Sequence, residues 1–135
     1  MTRPDDEARL IAAATEVRGN AVCPFSRFAV GCALLDDHGR IWTGANVENA
    51  SYTLGLCAER VAIFHALTHG GRNFSAIAIV TGAKRPTSPC GACRQILYEY
   101  ARDAALILVT TDGQIARAAL RDLLPNGFDA SDLEP

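Results

Sequence analysis

The sequence predicts an α/β layered sheet, on three observations. Strand-like and helix-like runs alternate along the chain as strand–helix–strand–helix–strand, an order that calls for right-handed crossovers and helices laid on a sheet. The run 76–80, Ala-Ile-Ala-Ile-Val, is apolar throughout, which suits a short strand covered on both faces. Turn-forming Gly, Asn and Asp pairs punctuate the runs, and no linker, repeat or low-complexity tract interrupts them. At 135 residues, with 49% hydrophobic and 21% charged residues, the chain reads as a single domain spanning 1–135. That length is enough to bury a core.

Each element has its own reason. Residues 5–18 set Ala8, Ile11, Ala12, Thr15 and Val17 against exposed charges, an amphipathic helix that Gly19-Asn20 ends. The runs 28–35 and 41–45 are strands, and Asp36-Asp37-His38-Gly39 is the hairpin turn between them. A helix over 57–68 stops at Gly70-Gly71. The strand 76–80 follows, then a helix over 90–101 and a strand over 106–110. Asp112-Gly113 turns the chain into a weak last strand over 114–117. Residues 118–124 then form a short helix that Pro125 terminates.

Composition excludes several functions. The 13 Lys and Arg against 15 Asp and Glu leave a net charge of −2, so no basic surface recruits nucleic acid. No apolar run approaches the about 18 residues of a membrane span. The acidic opening, Asp5-Asp6-Glu7, is unlike a signal peptide. Five cysteines, an odd number, fit a reducing cytoplasm.

The chemistry gathers at Ser88-Pro89-Cys90-Gly91-Ala92-Cys93-Arg94-Gln95 and at Cys57-Ala58-Glu59-Arg60. Cys90 and Cys93 alone form a metal-binding or redox knuckle, half of a tetrahedral site. Cys57 is the best third ligand, and both clusters fall at expected helix starts. Free N–H groups and partial positive charge there favour thiolate. Three thiolates with one open position describe a catalytic zinc site better than a closed structural one. Glu59, two residues from Cys57, can face that open position without being a ligand. Cys-x-Glu followed by Pro-Cys-x-x-Cys is the zinc deaminase arrangement. Asn46 and Glu48, two apart on an extended segment, can both face one ligand, and an amide with a carboxylate suits a sugar hydroxyl. Cys23 and Cys32 have no partner spacing and read as small buried apolar residues. His38, His65 and His69 show no spacing to the cysteines.

With these motifs in order, and with Pro24-Phe25-Ser26-Arg27-Phe28-Ala29-Val30-Gly31, the segment 43–52 and Leu123-Leu124-Pro125, nearly the whole chain resembles the cytidine deaminases of free nucleosides. The resemblance implies a three-layer α/β/α fold with a five-stranded mixed sheet, one Zn²⁺ per subunit and a homotetramer with shared active sites. It implies hydrolytic deamination of cytidine and 2′-deoxycytidine, giving the uridines and ammonia in pyrimidine salvage. Cys57, Cys90 and Cys93 would hold the metal and Glu59 would shuttle protons. Arg60 would offset the thiolate charge by hydrogen bonding to sulfur. Asn46 and Glu48 would hold the ribose 3′-hydroxyl, Phe28 and Tyr52 would line the pocket, and Ala58 and Ser88 would offer backbone to the base edge. Phe128 either packs its own subunit or reaches a neighbour's pocket. Phe28 and Tyr52 can also be read as core residues. Phe25 stands where the family usually has tyrosine, Ala29 where proline is common and Cys32 where alanine is common. The glycine of Thr53-Leu54-Gly55 is displaced from its usual place after Tyr52. An enzyme acting on a modified cytosine nucleoside and a non-catalytic structural zinc module are the competing readings.

Overall fold

The structure is a computed structural model and describes residues 2–135. The first helix, α1 (Pro4–Arg18), has proline in its first turn, Asp5, Asp6 and Glu7 beside it, and Arg18 at the far end. Fixed proline φ and charges that oppose the helix dipole both favour this start and stop. Strands β1 (Val30–Leu35) and β2 (Ile41–Ala45) form the expected hairpin, with Leu35 opposite Ile41 and Gly31 opposite Ala45. Helix α2 (Ala58–Thr68) leads to β3 (Ala76–Thr81), and helix α3 (Gly91–Tyr100) leads to β4 (Ala105–Thr110). Strand β5 (Ile115–Ala119) closes one edge.

The five strands lie in the order β2-β1-β3-β4-β5. Only the central β3–β4 pair is parallel. The other three pairs are antiparallel, so the sheet is mixed. A strand entering the centre between helical layers must be apolar on both faces, and β3 is buried at every position. On one face Leu10 and Ala14 of α1 pack on Ala33, Ala78, Val80 and Ile107. On the other, Ala62 and Ile63 of α2 and Leu97 of α3 pack with Leu34, Ile77, Ile79 and Leu106. This is the three-layer α/β/α arrangement. Helix α2 sits very close to β2: a Cβ on Gly44 would lie 2.3 Å from the Ala62 backbone nitrogen. Among the described residues, no helix is long and apolar enough to cross a membrane.

Three expectations are corrected. The strand expected over 28–35 begins at Val30, because Asn46 uses its side chain to hold the Phe28 carbonyl and the Val30 N–H from outside the ladder. The strand expected over 114–117 runs over Ile115–Ala119, and the helix expected over 118–124 is a short 3₁₀ turn, Leu120–Leu123. Ala and Arg favour a helix there. Pairing of Ala118 and Ala119 with Leu106 and Ala105 overrides that preference and buries Leu120. A second 3₁₀ turn, Ala130–Leu133, is capped reciprocally by Asp129 and Asp132.

Candidate active site

Both cysteine clusters fall at helix starts. Cys57 is the N-cap of α2 and Cys90 the N-cap of α3, each with extended backbone and neither using its side chain as a cap. Cys93 follows in the first turn of α3, fully buried. The three sulfurs lie within 4.8 Å of one another, and Cys57 Sγ is 3.8 Å from Cys90 Sγ. A tetrahedral zinc with Zn–S near 2.3 Å sets its sulfurs about 3.8 Å apart. The donor set and its spacing therefore fit zinc. Arg60 donates to Cys57 Sγ at 3.4 Å.

The thiols share their protons unequally. Hydrogen bonding from Cys93 holds the Cys57 thiol down to about 5, against the opposing effect of burial and with help from Arg60 and Cys90. The same contact with Cys57, together with burial and the nearby Glu59, pushes Cys93 up. Metal binding takes the thiolate forms, so loading releases protons.

Glu59 sits in the first turn of α2 with only 5% of its surface exposed. Burial raises its carboxyl to about 7. Cys57 adds to that rise, while a backbone hydrogen bond and Arg60 oppose it. A carboxyl poised there can take up and give back a proton near neutrality.

A cleft of about 600 Å³ opens over this pair and contains Phe28, Asn46, Glu48, Tyr52, Ala58 and Ser88 along its walls. Asn46 is buried and doubly engaged. Its Oδ1 accepts from the Val30 N–H at 2.8 Å, and its Nδ2 donates to the Phe28 carbonyl at 2.9 Å. An amide has four hydrogen-bonding sites, so one N–H and one lone pair remain. Glu48 accepts from the Phe25 and Ser26 backbone N–H groups, each at 3.0 Å, and from the Ser26 hydroxyl. Phe28 and Tyr52 are solvent-exposed wall residues rather than core, and Tyr52 meets the Phe25 ring edge-on at 5.6 Å. Ala58 is fully buried in the first turn of α2. Ser88 accepts from Arg94 at 2.8 Å.

Phe128 is not brought to this cleft. It lies on the surface, 53% exposed, and its carbonyl accepts from Gln95 at 2.8 Å. Cys32 is fully buried, as expected, and Cys23 only half-buried.

The structure also uses residues the sequence did not single out. Ser26 contacts Glu48 directly, and its place between Phe25 and Phe28 was the only available signal. Arg94 ties the cysteine loop to the chain's last third, donating to Pro89 and Leu123 carbonyls at 2.8 and 3.1 Å. An arginine one residue past a ligand gives no hint of a clamp 29 residues away.

Replacing an amine on a base by a carbonyl needs hydroxide from a metal and a carboxylate that moves protons, and this cleft can bring the two together. Fold and site thus define the class of zinc-dependent base deaminases. A family model described as the cytidine and deoxycytidylate deaminase zinc-binding region matches residues 4–110, and the chain belongs to that family. It is 46% identical over 129 residues to the cytidine deaminase of Halalkalibacterium halodurans, covering 95% of this chain and 98% of the relative. Identity to the cytidine deaminase of Sporosarcina psychrophila is 41% over 129 residues, covering 95% of each. Among solved structures, the cytidine deaminase from Burkholderia pseudomallei superposes with a TM-score of 0.87 at 43% identity, covering 95% of this chain and all of the other. The cytidine deaminase from Mycobacterium tuberculosis gives a TM-score of 0.77 at 42% identity, covering 91% and 97%.

Proposed function

We propose that the chain is a hydrolase that converts cytidine and 2′-deoxycytidine to the corresponding uridines with release of ammonia. One observation carries this reading: a buried glutamate beside a cradle of three cysteines with zinc-like spacing. Cys57, Cys90 and Cys93 would hold zinc, which when bound would supply the Lewis acidity that makes hydroxide available near neutral pH. Glu59 takes a proton from the attacking water and delivers it to N3 of the ring, then passes the second to the departing amine. Its burial keeps bulk water from competing for those protons. Three thiolates with Zn²⁺ leave a formal charge of −1, which blunts Lewis acidity. Arg60 offsets it through its bond to Cys57, and the two helix N-termini add partial positive charge.

The remaining wall residues select the substrate. Glu48, held as an anion by the Ser26 and Phe25 donors, and the free sites of Asn46 receive the sugar 3′-hydroxyl. Phe28 and Tyr52 pack the nucleoside, and the backbone at Ala58 and Ser88 faces the base edge. A 3′-phosphate would bring negative charge within about 4 Å of Glu48, a repulsion of about 4 kcal/mol per unit charge at an effective dielectric near 20. Half of that, about 2 kcal/mol per unit charge, is still a factor of about 30 in binding after solvent relief. Free nucleosides are therefore substrates, and 3′-CMP and internal cytosines of RNA or DNA are not.

The subunits form a homotetramer in which Phe128 closes a neighbour's cleft. Its exposure, and its absence from the lining of its own cleft, support that role. Five free cysteines suit the reducing cytoplasm, where pyrimidine salvage takes place. The test follows uridine and ammonia from cytidine, 3′-CMP and an oligo-dC strand with one zinc-loaded sample. Turnover of cytidine alone supports the reading. Equal rates on the strand overturn it.

A further inference from the structure

We propose that Ser26 is a positioning residue for sugar recognition, its hydroxyl setting the direction in which Glu48 presents its carboxylate to the 3′-hydroxyl. The inference rests on the reading of Glu48 given above and adds a determinant to it.

The turn that carries Ser26 is unusual in its backbone. Arg27 adopts φ +57°, a left-handed conformation that a long side chain seldom takes, and its N–H closes the turn onto the Cys23 carbonyl at 2.9 Å. This geometry points two successive N–H groups, those of Phe25 and Ser26, at one oxygen of Glu48, both at 3.0 Å. The Ser26 hydroxyl donates to the other oxygen. The same hydroxyl accepts from the Phe28 N–H at 3.0 Å. It is thus donor on one side and acceptor on the other, a pair of roles open to serine and threonine and closed to alanine. Through it, the acid that meets the sugar is tied to the backbone of the aromatic residue in the cleft wall.

An ionised carboxylate offers about four acceptor sites. Three are occupied by the turn, which leaves one, on the oxygen that Ser26 holds, for an incoming hydroxyl. Removing the Ser26 hydroxyl frees that oxygen to rotate toward solvent and adds a competing orientation. The donors also favour the ionised acid, the Ser26 hydroxyl foremost.

The turn itself does not depend on this hydroxyl. Val22 pairs with the Asn46–Glu48 segment through bonds of 2.9 and 2.8 Å, and the Arg27–Cys23 bond is backbone only. Ser26→Ala is therefore expected to fold and bind zinc, with a stability loss of no more than the two exposed hydrogen bonds it removes. On cytidine its KM should rise about tenfold, the scale of one hydrogen bond to a charged group. Its kcat should stay within about threefold, because Ser26 touches neither the base nor Glu59. On 3′-deoxycytidine, which lacks the hydroxyl concerned, parent and Ser26→Ala should share one KM. Ser26→Thr should restore the preference for cytidine. Glu48→Gln, run alongside, separates the two levels of the argument. If it narrows the gap between the nucleosides while Ser26→Ala raises both KM values alike or neither, the positioning role is wrong. If Glu48→Gln leaves the gap unchanged, the sugar reading itself falls and this inference falls with it.

Discussion

At the scale of single residues, the proposed chemistry depends on a carboxylate largely withdrawn from bulk water. Glu59 is 5% exposed and its carboxyl is raised to about 7 by burial first of all. Glu59→Gln keeps the shape and the neighbouring thiols but cannot accept a proton. It should retain zinc and nucleoside binding while kcat falls about 10²–10⁴-fold, the usual contribution of a positioned acid–base group. A steady-state assay showing less than a tenfold fall would remove Glu59 from the mechanism. Cys90→Ala leaves two sulfurs where three lie within 4.8 Å. Its zinc content after dialysis should drop toward zero, and full occupancy would break the ligand assignment. These residues were legible in the sequence because helix starts, cysteine spacing and an adjacent glutamate are all local patterns. Ser26 and Arg94 were not, since their partners lie 22 and up to 29 residues away and only folding brings them together.

At the scale of elements, the site is only as well placed as the two helices that carry it. Helix α2 approaches β2 so closely that Gly44 has no room for a side chain: its Cβ would lie 2.3 Å from Ala62 N and 2.9 Å from the Ala58 carbonyl. Gly44→Ala should cost about 1–3 kcal/mol by overpacking and should also weaken zinc binding, because the displaced turn carries Cys57. Chemical denaturation with and without zinc tests both effects, and an unchanged midpoint would mean that α2 is free to shift. The β1–β2 hairpin is held from within by Asp36. Burial alone would raise this carboxyl, yet hydrogen bonds from Trp42, the Arg40 and His38 backbone and the Arg40 guanidinium bring it down to about 2. A carboxyl lower in the folded than in the unfolded chain stabilises above its unfolded value of about 3.9 and loses that as pH falls toward 2. The contribution is about 2 kcal/mol, so unfolding midpoints of parent and Asp36→Asn should converge between pH 5 and 2. Parallel curves would refute it. The central strands and the three helices were legible in their periodicity. The sequence misled over residues 118–124, where Ala-Ala-Leu-Arg-Asp-Leu-Leu satisfies a helix as readily as the edge pairing that β4 imposes.

At the scale of the whole molecule, the cleft lies beyond the sheet at the starts of α2 and α3, where crossover folds leave unpaired N–H groups facing a ligand. Its rim is apolar and open: Phe25, Phe28 and Tyr52 all expose much of their surface. In the proposed tetramer a neighbouring chain would cover such a rim, with the exposed Phe128 taking part. Phe128→Ala should leave the stability of the fold within about 0.5 kcal/mol, as for other surface changes, while raising KM for cytidine. Sedimentation of the active species gives the companion check, and a fully active monomer would exclude a shared site. The central claim, that one zinc held by three cysteines serves a cytidine-deaminating cleft, is met most directly by a titration. Apoprotein prepared with a chelator is reloaded stepwise with zinc, and uridine formation is followed against the metal bound per chain. Activity should rise linearly from zero and level off at one zinc per chain. Turnover that persists without metal, or none at full loading, would contradict the account.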